Sequence, residues 1–296
     1  MSRTLLPTQG DSRAQQEGTA RPVTSGEAFS RAAALYDADE EQNVMARWTR
    51  QRSLSILLKT FKPGDRILEI GCGTGIEAVQ LARQGIRVVA TDTAPGMIET
   101  LSVKLSHGGP AYDLAGMIEP VLVPAQHLDE LVARYGEGAF DGAFSSMGPL
   151  NCIPDLQPVA DALARLVKPG GRVILGVLNR YCLWETAWYL RALQPKIAFR
   201  RWGGEAEATS RPDWQEEKFT CYYWHRGRIE RAFRPHFRIT RREGLPWLMP
   251  PLYLDGLIKR APGFFRILSR LDRRLAHVWP AYDIGDHLLI QFERVR

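Results

Sequence analysis

Three glycines two residues apart, Gly71, Gly73 and Gly75, follow directly on the apolar run Ile67-Leu68-Glu69-Ile70. They lead straight into a helical pattern, Ile76-Glu77-Ala78-Val79-Gln80-Leu81-Ala82-Arg83. A strand that ends in a glycine turn and opens a helix is a nucleotide-binding turn. The backbone bends tightly there, and a ligand approaches it with no Cβ in the way. Further on, Val88-Val89-Ala90-Thr91-Asp92 ends a second strand in a carboxylate. That is the place of a ribose-binding acid in doubly wound folds. Ile76 stands where the third glycine of a GxGxxG turn would be, a spacing that disfavours a nicotinamide dinucleotide.

The elements that must position these groups alternate along the chain. Strands are expected over residues 66–70, 87–91, 120–123, 140–145 and 172–178. Helices are expected between them, over 75–84, 95–106, 127–135 and 156–166. Such alternation predicts a parallel sheet with right-handed crossovers. Before it, residues 1–24 read as a disordered tail and 25–60 as a helical cap. After Asn179 the alternation stops. A short strand over 219–223, a helix over 227–233 and a strand over 236–240 follow. A basic amphipathic helix over 264–275 then precedes a last strand over 287–293. Two insertions, at about 181–226 and 245–283, thus interrupt a domain of residues 61–296.

Composition narrows the classes. The chain has 296 residues, 45% hydrophobic and 24% charged, ordinary for a soluble globular protein. No apolar run is long enough to span a membrane, and the N-terminal stretch lacks the apolar middle of a secretory signal. Cys72, Cys152, Cys182 and Cys221 form no CxxC pair and read as free thiols, so a cytoplasmic location and no metal site are expected. From residue 191 onward there are twenty-one Lys and Arg against twelve Asp and Glu; before it, eighteen against twenty-one. The basic surplus lies outside the nucleotide-binding half. It reads either as a solvated arginine-rich surface or as attraction to an anionic partner.

In order and motif, residues 60–180 and the final two strands resemble the class I S-adenosylmethionine-dependent methyltransferases. The resemblance is carried by Glu69-Ile70-Gly71-Cys72-Gly73-Thr74-Gly75, by Asp92, by Ala125-Gln126-His127-Leu128, by Phe140-Asp141 and by Leu166-Val167-Lys168-Pro169-Gly170-Gly171. The stretch from Ala28-Phe29-Ser30-Arg31 to Leu35-Tyr36-Asp37 is similar to the helix that precedes the core in small-molecule members. The resemblance implies an α/β, Rossmann-like, doubly wound seven-stranded sheet with a terminal antiparallel strand, an N-terminal helical cap and helical insertions after strands five and six. It implies S-adenosyl-L-methionine as cofactor and S-adenosyl-L-homocysteine as its product. Glu69 then either binds the methionine amine or caps a local turn. Asp92 takes the ribose hydroxyls, with Thr93 beside it. Gly71, Cys72, Gly73 and Gly75 carry the backbone past the cofactor. Met97 packs on adenine or belongs to the core, and Ser145 and Ser146 contact the methionyl portion or satisfy local backbone. Pro124 replaces the acid that often meets the adenine amine, so adenine rests on backbone at Ala125 and on Gln126.

The acceptor is expected over the methyl group, among the aromatic-rich cap and insertions, which suits a small hydrophobic molecule: a secondary metabolite, a quinone or a lipid-like compound. The methyl goes to oxygen or to carbon. Asn151, Asn179 and Trp184 are candidate substrate contacts. Candidate bases or polar contacts are His127, His225, Tyr36 and Tyr181, with His236 a further histidine. Nucleic-acid methylation is the first alternative. It is disfavoured because Ser145-Ser146-Met147-Gly148-Pro149-Leu150, with no Asn-Pro-Pro-Tyr-type motif, follows strand four. A non-catalytic cofactor-binding protein is the second. The helix with Arg260, Arg266, Arg270, Arg273 and Arg274 reads as an arginine-rich domain helix or as a peripheral membrane contact.

Overall fold

A computed structural model describes residues 23–210 and 217–295. Two helices come first, α1 (Ser25–Gln42) and α2 (Val44–Thr60). Thr24, expected in the tail, instead caps α1: its hydroxyl accepts from the Glu27 amide at 3.2 Å, and the Glu27 carboxylate accepts from the Thr24 amide at 2.8 Å. The rest of the expected tail, 1–22, lies outside the described residues. Asn43 ends α1 and caps α2, where its side chain accepts from the Ala46 amide at 2.9 Å.

The alternating part follows: β1 (Arg66–Ile70), α3 (Ile76–Ala82), β2 (Arg87–Asp92), α4 (Pro95–Leu105), β3 (Ile118–Leu122), α5 (Glu130–Tyr135), β4 (Phe140–Ser145), α6 (Gln157–Leu166) and β5 (Val167–Leu178). The first insertion carries α7 (Leu183–Arg191), α8 (Pro195–Ala198), β6 (Glu205–Thr209) and β7 (Lys218–Tyr222), and α9 (Arg226–Phe233) follows it. Then come β8 (Phe237–Gly244), α10 (Gly256–Arg260), α11 (Pro262–Leu275), α12 (Ala281–Ile284) and β9 (His287–Arg294). Among the described residues no helix is long and apolar enough to cross a membrane.

The sheet order is β3-β2-β1-β4-β5-β9-β8, with β9 antiparallel to both its neighbours and the other pairs parallel. This is the expected seven-stranded sheet. Its strands are buried on both faces, and alternate residues feed opposite cores. Ile67 and Ile174 pack with Leu81 and Phe144 on one face, while Leu68, Val173 and Leu175 pack with Leu163 and Phe292 on the other. Two details differ from expectation. β5 starts at Val167, because residues 168–171 loop out as an irregularity between Phe140↔Val167 and Gly142↔Arg172. β6 was not expected, and it pairs with β7, the expected short strand, as a separate two-stranded sheet.

The cap is seated by a close backbone approach. A Cβ on Gly96, in α4, would stand 2.5 Å from the Ser30 carbonyl oxygen of α1, and the Gly96 amide donates to the Ser30 hydroxyl at 3.1 Å. Glycine there lets α1 lie across the start of α4, over the C-terminal ends of β1 and β2.

Candidate active site

The glycines of the first turn all have positive φ: 72° at Gly71, 53° at Gly73 and 79° at Gly75. A Cβ on Gly71 would stand 2.1 Å from the Pro149 Cβ, and one on Gly75 2.4 Å from a Leu101 methyl. Those two permit close packing within the chain. Gly73 differs: nothing lies nearer than 3.9 Å to where its Cβ would be, and it opens onto a cavity of about 160 Å³. The cavity lies at the C-terminal edge of the parallel strands, where ligands sit in such sheets. Its floor is Ile70 to Gly73, its sides are Asp92-Thr93, Ala125-Gln126 and Ser146 to Pro149, and its roof is Ser25, Phe29, Tyr36 and Arg50 of the cap.

Asp92 ties the turns together. Its Oδ2 accepts from the Gly73 amide at 2.8 Å and its Oδ1 from the Ala94 amide at 2.8 Å. Burial pushes its carboxyl up, and the amides of Ala94 and Gly73 oppose that rise. The Gly71 and Cys72 amides both donate to the Thr91 carbonyl at 2.8 Å, which clips the turn to β2.

A charge cluster that sequence reasoning missed lies under the cap. Arg50 reaches Glu77 at 2.5 Å, Glu40 at 2.6 Å and the Tyr36 hydroxyl at 3.4 Å. Arg50, Tyr36 and Glu77 line the cavity. Glu69 lies behind the turn, almost wholly buried, and does not itself line it. Its Oε2 and the Oε1 of Glu77 find no hydrogen-bond partner among the described residues. Burial, then the charge of Glu77, pushes the Glu69 carboxyl well above the usual range, against the pull of Arg50. Buried carboxylate oxygens left without partners are expensive. Here they stand beside a cavity and a guanidinium, a donor set that matches the ammonium and carboxylate of an amino acid.

The other expected residues divide. Met97, Thr93, Ala125, Gln126 and Cys72 line the cavity. Met97 is also core, packed with Ala33 and Ala94. Ser145 does not line it: its hydroxyl donates to the Ile70 carbonyl at 2.9 Å, and the next residue, Ser146, faces the cavity and shares a 2.9 Å bond with Ser53. Of the two expected serines, adjacent residues pointing to opposite sides, only Ser146 therefore reaches the cavity.

Asn151 is a structural clasp. Its amide donates to Leu178 and Tyr222 carbonyls and its oxygen accepts from the Leu178 amide at 2.7 Å. Asn179 donates to the Tyr282 carbonyl at 3.1 Å, and the Trp184 indole to the Leu248 carbonyl at 2.8 Å. These three are spent on backbone and do not line the cavity.

Among the candidate bases, Tyr36 lines the cavity, and burial pushes its hydroxyl up, so it stays protonated. His127 lines a second, outer groove that shares Gln126 and Thr93 with the cavity. Tyr181 and His225 pack on each other, with Trp202 against Tyr181. His236 pairs with Asp161 on the surface at 3.0 Å. Burial holds the Cys72 thiol well up and pushes Cys152 to about 12, so neither is a thiolate nucleophile.

Residues 39–236 match a family model described as a methyltransferase domain. The chain belongs to the class I S-adenosylmethionine-dependent methyltransferases. The match runs from the end of α1 through α9 and leaves α10 and α11 outside it. A ubiquinone biosynthesis O-methyltransferase of Xanthomonas axonopodis pv. citri (strain 306) is 30% identical over 145 residues, 49% of this chain and 56% of that protein. The chain thus spans about half the length of the curated relatives it matches.

An S-adenosylmethionine-dependent methyltransferase structure from Mesorhizobium loti aligns with a TM-score of 0.52 at 17% identity, covering 83% of this chain and 98% of that one. The geranyl diphosphate C-methyltransferase of Streptomyces coelicolor A3(2), solved with Mg2+, geranyl diphosphate and S-adenosyl-L-homocysteine, aligns with a TM-score of 0.51 at 15% identity, covering 83% and 79%. These two likenesses are of fold. For a methyltransferase of this class the cofactor is S-adenosylmethionine, and the orphaned carboxylates, the bare Gly73 and Asp92 fit it.

Proposed function

We propose that this methyltransferase moves a methyl group to an oxygen, or failing that a carbon, of a small, largely hydrophobic, quinone-like metabolite. The observation that carries the reading is the shape of the cavity. Glu77, with one carboxylate oxygen unpartnered, and Arg50 line it together, Glu69 lies just behind, and its walls are apolar: Phe29, Ile76, Met97, Val123, Ile153 and Met147. Relatives named as ubiquinone biosynthesis O-methyltransferases support oxygen over carbon.

When bound, S-adenosylmethionine supplies a methyl group on a sulfonium with a good leaving group. The chain's own residues position and exclude. Glu77, with Glu69 behind it, would receive the ammonium, Arg50 the carboxylate, and Asp92 the ribose hydroxyls, a charge-assisted pair of bonds. Gly73 lets the backbone lie against the ligand, and Ala125 and Gln126 edge the adenine. The cap covers the cavity and keeps water from it, so that alignment does most of the catalytic work. Tyr36, held protonated, donates to an acceptor oxygen and does not remove its proton. No histidine lines the central cavity among the described residues. A phenolic acceptor, acidic in its own right, suits a site of that kind. Such an acceptor is drawn from an apolar phase, and the C-terminal insertion offers a surface toward one.

The test is mass spectrometry of a lipid-soluble metabolite extract incubated with the protein and methyl-labelled donor. The expected result is label in an apolar phenolic product, with S-adenosylhomocysteine formed in equal amount. Label recovered in RNA or protein, or donor bound with no labelled product, would overturn the reading.

A further inference from the structure

We propose that the outer face of α11 docks on an anionic lipid bilayer. Phe264, Ile267, Leu271 and Leu275 recur at helical spacing and form one stripe. The stripe faces water: Phe264 is 61% exposed and Ile267 62%. Val278 and Trp279 extend it past the end of the helix, Trp279 at 69% exposed. The adjoining side of the helix is anchored. Phe265 packs with Met45 of α2 and with Met249, and the buried Asp272 carboxylate accepts from the backbone amides of Trp247, Leu248 and Met249 at 2.8 to 3.1 Å.

Charge says what covers the stripe. Arg266, Arg270, Arg273 and Arg274 flank it on the solvent side, and Asp272, the one acid of α11, is buried. None of these arginines makes an ion pair among the described residues. A purely solvated face needs no row of exposed Phe, Ile and Leu. A second copy of the chain would set arginine against arginine. An anionic bilayer satisfies both halves: the apolar stripe enters the boundary between headgroups and acyl chains, and the guanidiniums meet phosphates.

The surface also adjoins a route inward. Leu252, Asp255 and Lys259, in the segment that leads into α11, line a groove together with Tyr36, which also lines the central cavity. Delivery of an apolar acceptor along that groove rests on the proposed function; the docking itself does not.

Co-sedimentation of the full chain with phosphatidylcholine vesicles, made with and without phosphatidylglycerol, tests the docking. Sedimentation with the phosphatidylglycerol vesicles is expected, and little with phosphatidylcholine alone. Ile267→Ser with Leu271→Ser should weaken binding at least about tenfold. Arg266→Gln with Arg270→Gln and Arg273→Gln should weaken it on the order of a hundredfold and remove the preference for phosphatidylglycerol. Trp279→Ala, outside the helix, should also weaken binding and keeps the test open should a helix variant unfold. Binding of S-adenosylhomocysteine in solution should be unchanged in all three, which separates loss of docking from loss of the cavity. No sedimentation with anionic vesicles, or variants that sediment as the wild type does, would overturn the proposal. So would a dimer in solution that Ile267→Ser with Leu271→Ser dissolves while vesicle binding is absent.

Discussion

Glu69 burdens the empty protein. Its side chain is buried, one carboxylate oxygen has no partner, and Glu77 and Asp92 add like charge to the burial that already disfavours its ionised form. A carboxyl held above its unfolded range weakens folding as pH rises from about 4 toward the folded value. Glu69→Gln removes that burden, so the ligand-free variant should melt at the same temperature as the wild type or higher at pH 7. Its affinity for S-adenosylhomocysteine should fall about tenfold or more, because a charge-assisted bond is lost. Thermal melts beside calorimetry read both effects, and a melting temperature that drops with affinity intact would sink the role given to Glu69.

Asp92→Ala acts differently. It frees the Gly73 and Ala94 amides as well as losing the ribose contact, so both stability and affinity should fall, the latter by about ten- to a hundredfold. Calorimetry with adenosine alone should show the loss too; an unchanged adenosine affinity would remove Asp92 from the site.

Among the elements, α1 is the one whose placement makes the cavity. It rests on α4 where Gly96 meets Ser30, too close for a side chain. Gly96→Ala should therefore cost about 1–3 kcal/mol of stability and lift the roof, weakening the cofactor more than a surface change of the same cost. Denaturant melts and titration check this together. The two insertions are joined by another device. The buried Glu185 of α7 accepts from Arg200 and Arg201 at 2.9 to 3.1 Å and from the Tyr253 hydroxyl at 2.9 Å, and Arg201 pairs with Asp286, just before β9, at 2.9 Å.

Burial pushes both carboxyls up, but Arg200 and Arg201 at Glu185, and Arg201 with His287 at Asp286, outweigh it and hold them below the usual range. Depressed carboxyls contribute stability that is full above about pH 4 and lost as pH falls below it. Arg201→Met should cost about 3–5 kcal/mol near neutrality by leaving buried charge unpaired, and should flatten that acid-side loss. Urea melts at several pH values will show whether the acid limb persists without Arg201.

The same elements show what the sequence made legible. The five parallel strands and the glycine turn were plain, because strands buried on both faces are short apolar runs bounded by turns. β6 was not, because Glu205-Ala206-Glu207-Ala208-Thr209 has Thr209 as its one β-branched residue and is stabilised by its partner β7. Arg50 and Glu77 were missed because they meet across two helices far apart in the chain. The signal existed: Arg50 falls on the buried stripe Ala46, Ser53 and Leu57 of α2, where a charge needs a partner. Asn151 and Asn179 lie near the correct sheet edge and Trp184 in the aromatic first insertion, but position along the chain does not tell whether a polar group serves a ligand or the backbone.

For the molecule as a whole, the two parts divide the labour. The part before residue 191 holds the nucleotide turn and the carboxylates; the basic part after it supplies most of the first insertion, all of the second and the exposed arginines of α11. The account stands on one claim, that the cavity between cap and sheet is where donor and acceptor meet. The crystal structure of the protein with S-adenosylhomocysteine tests it most directly. The predicted result places the ribose hydroxyls on Asp92 and the ammonium within about 3 Å of Glu69 or Glu77, with open space toward Tyr36. A ligand seated in the outer groove by His127, or turned so that the ammonium points away from both carboxylates, would contradict it.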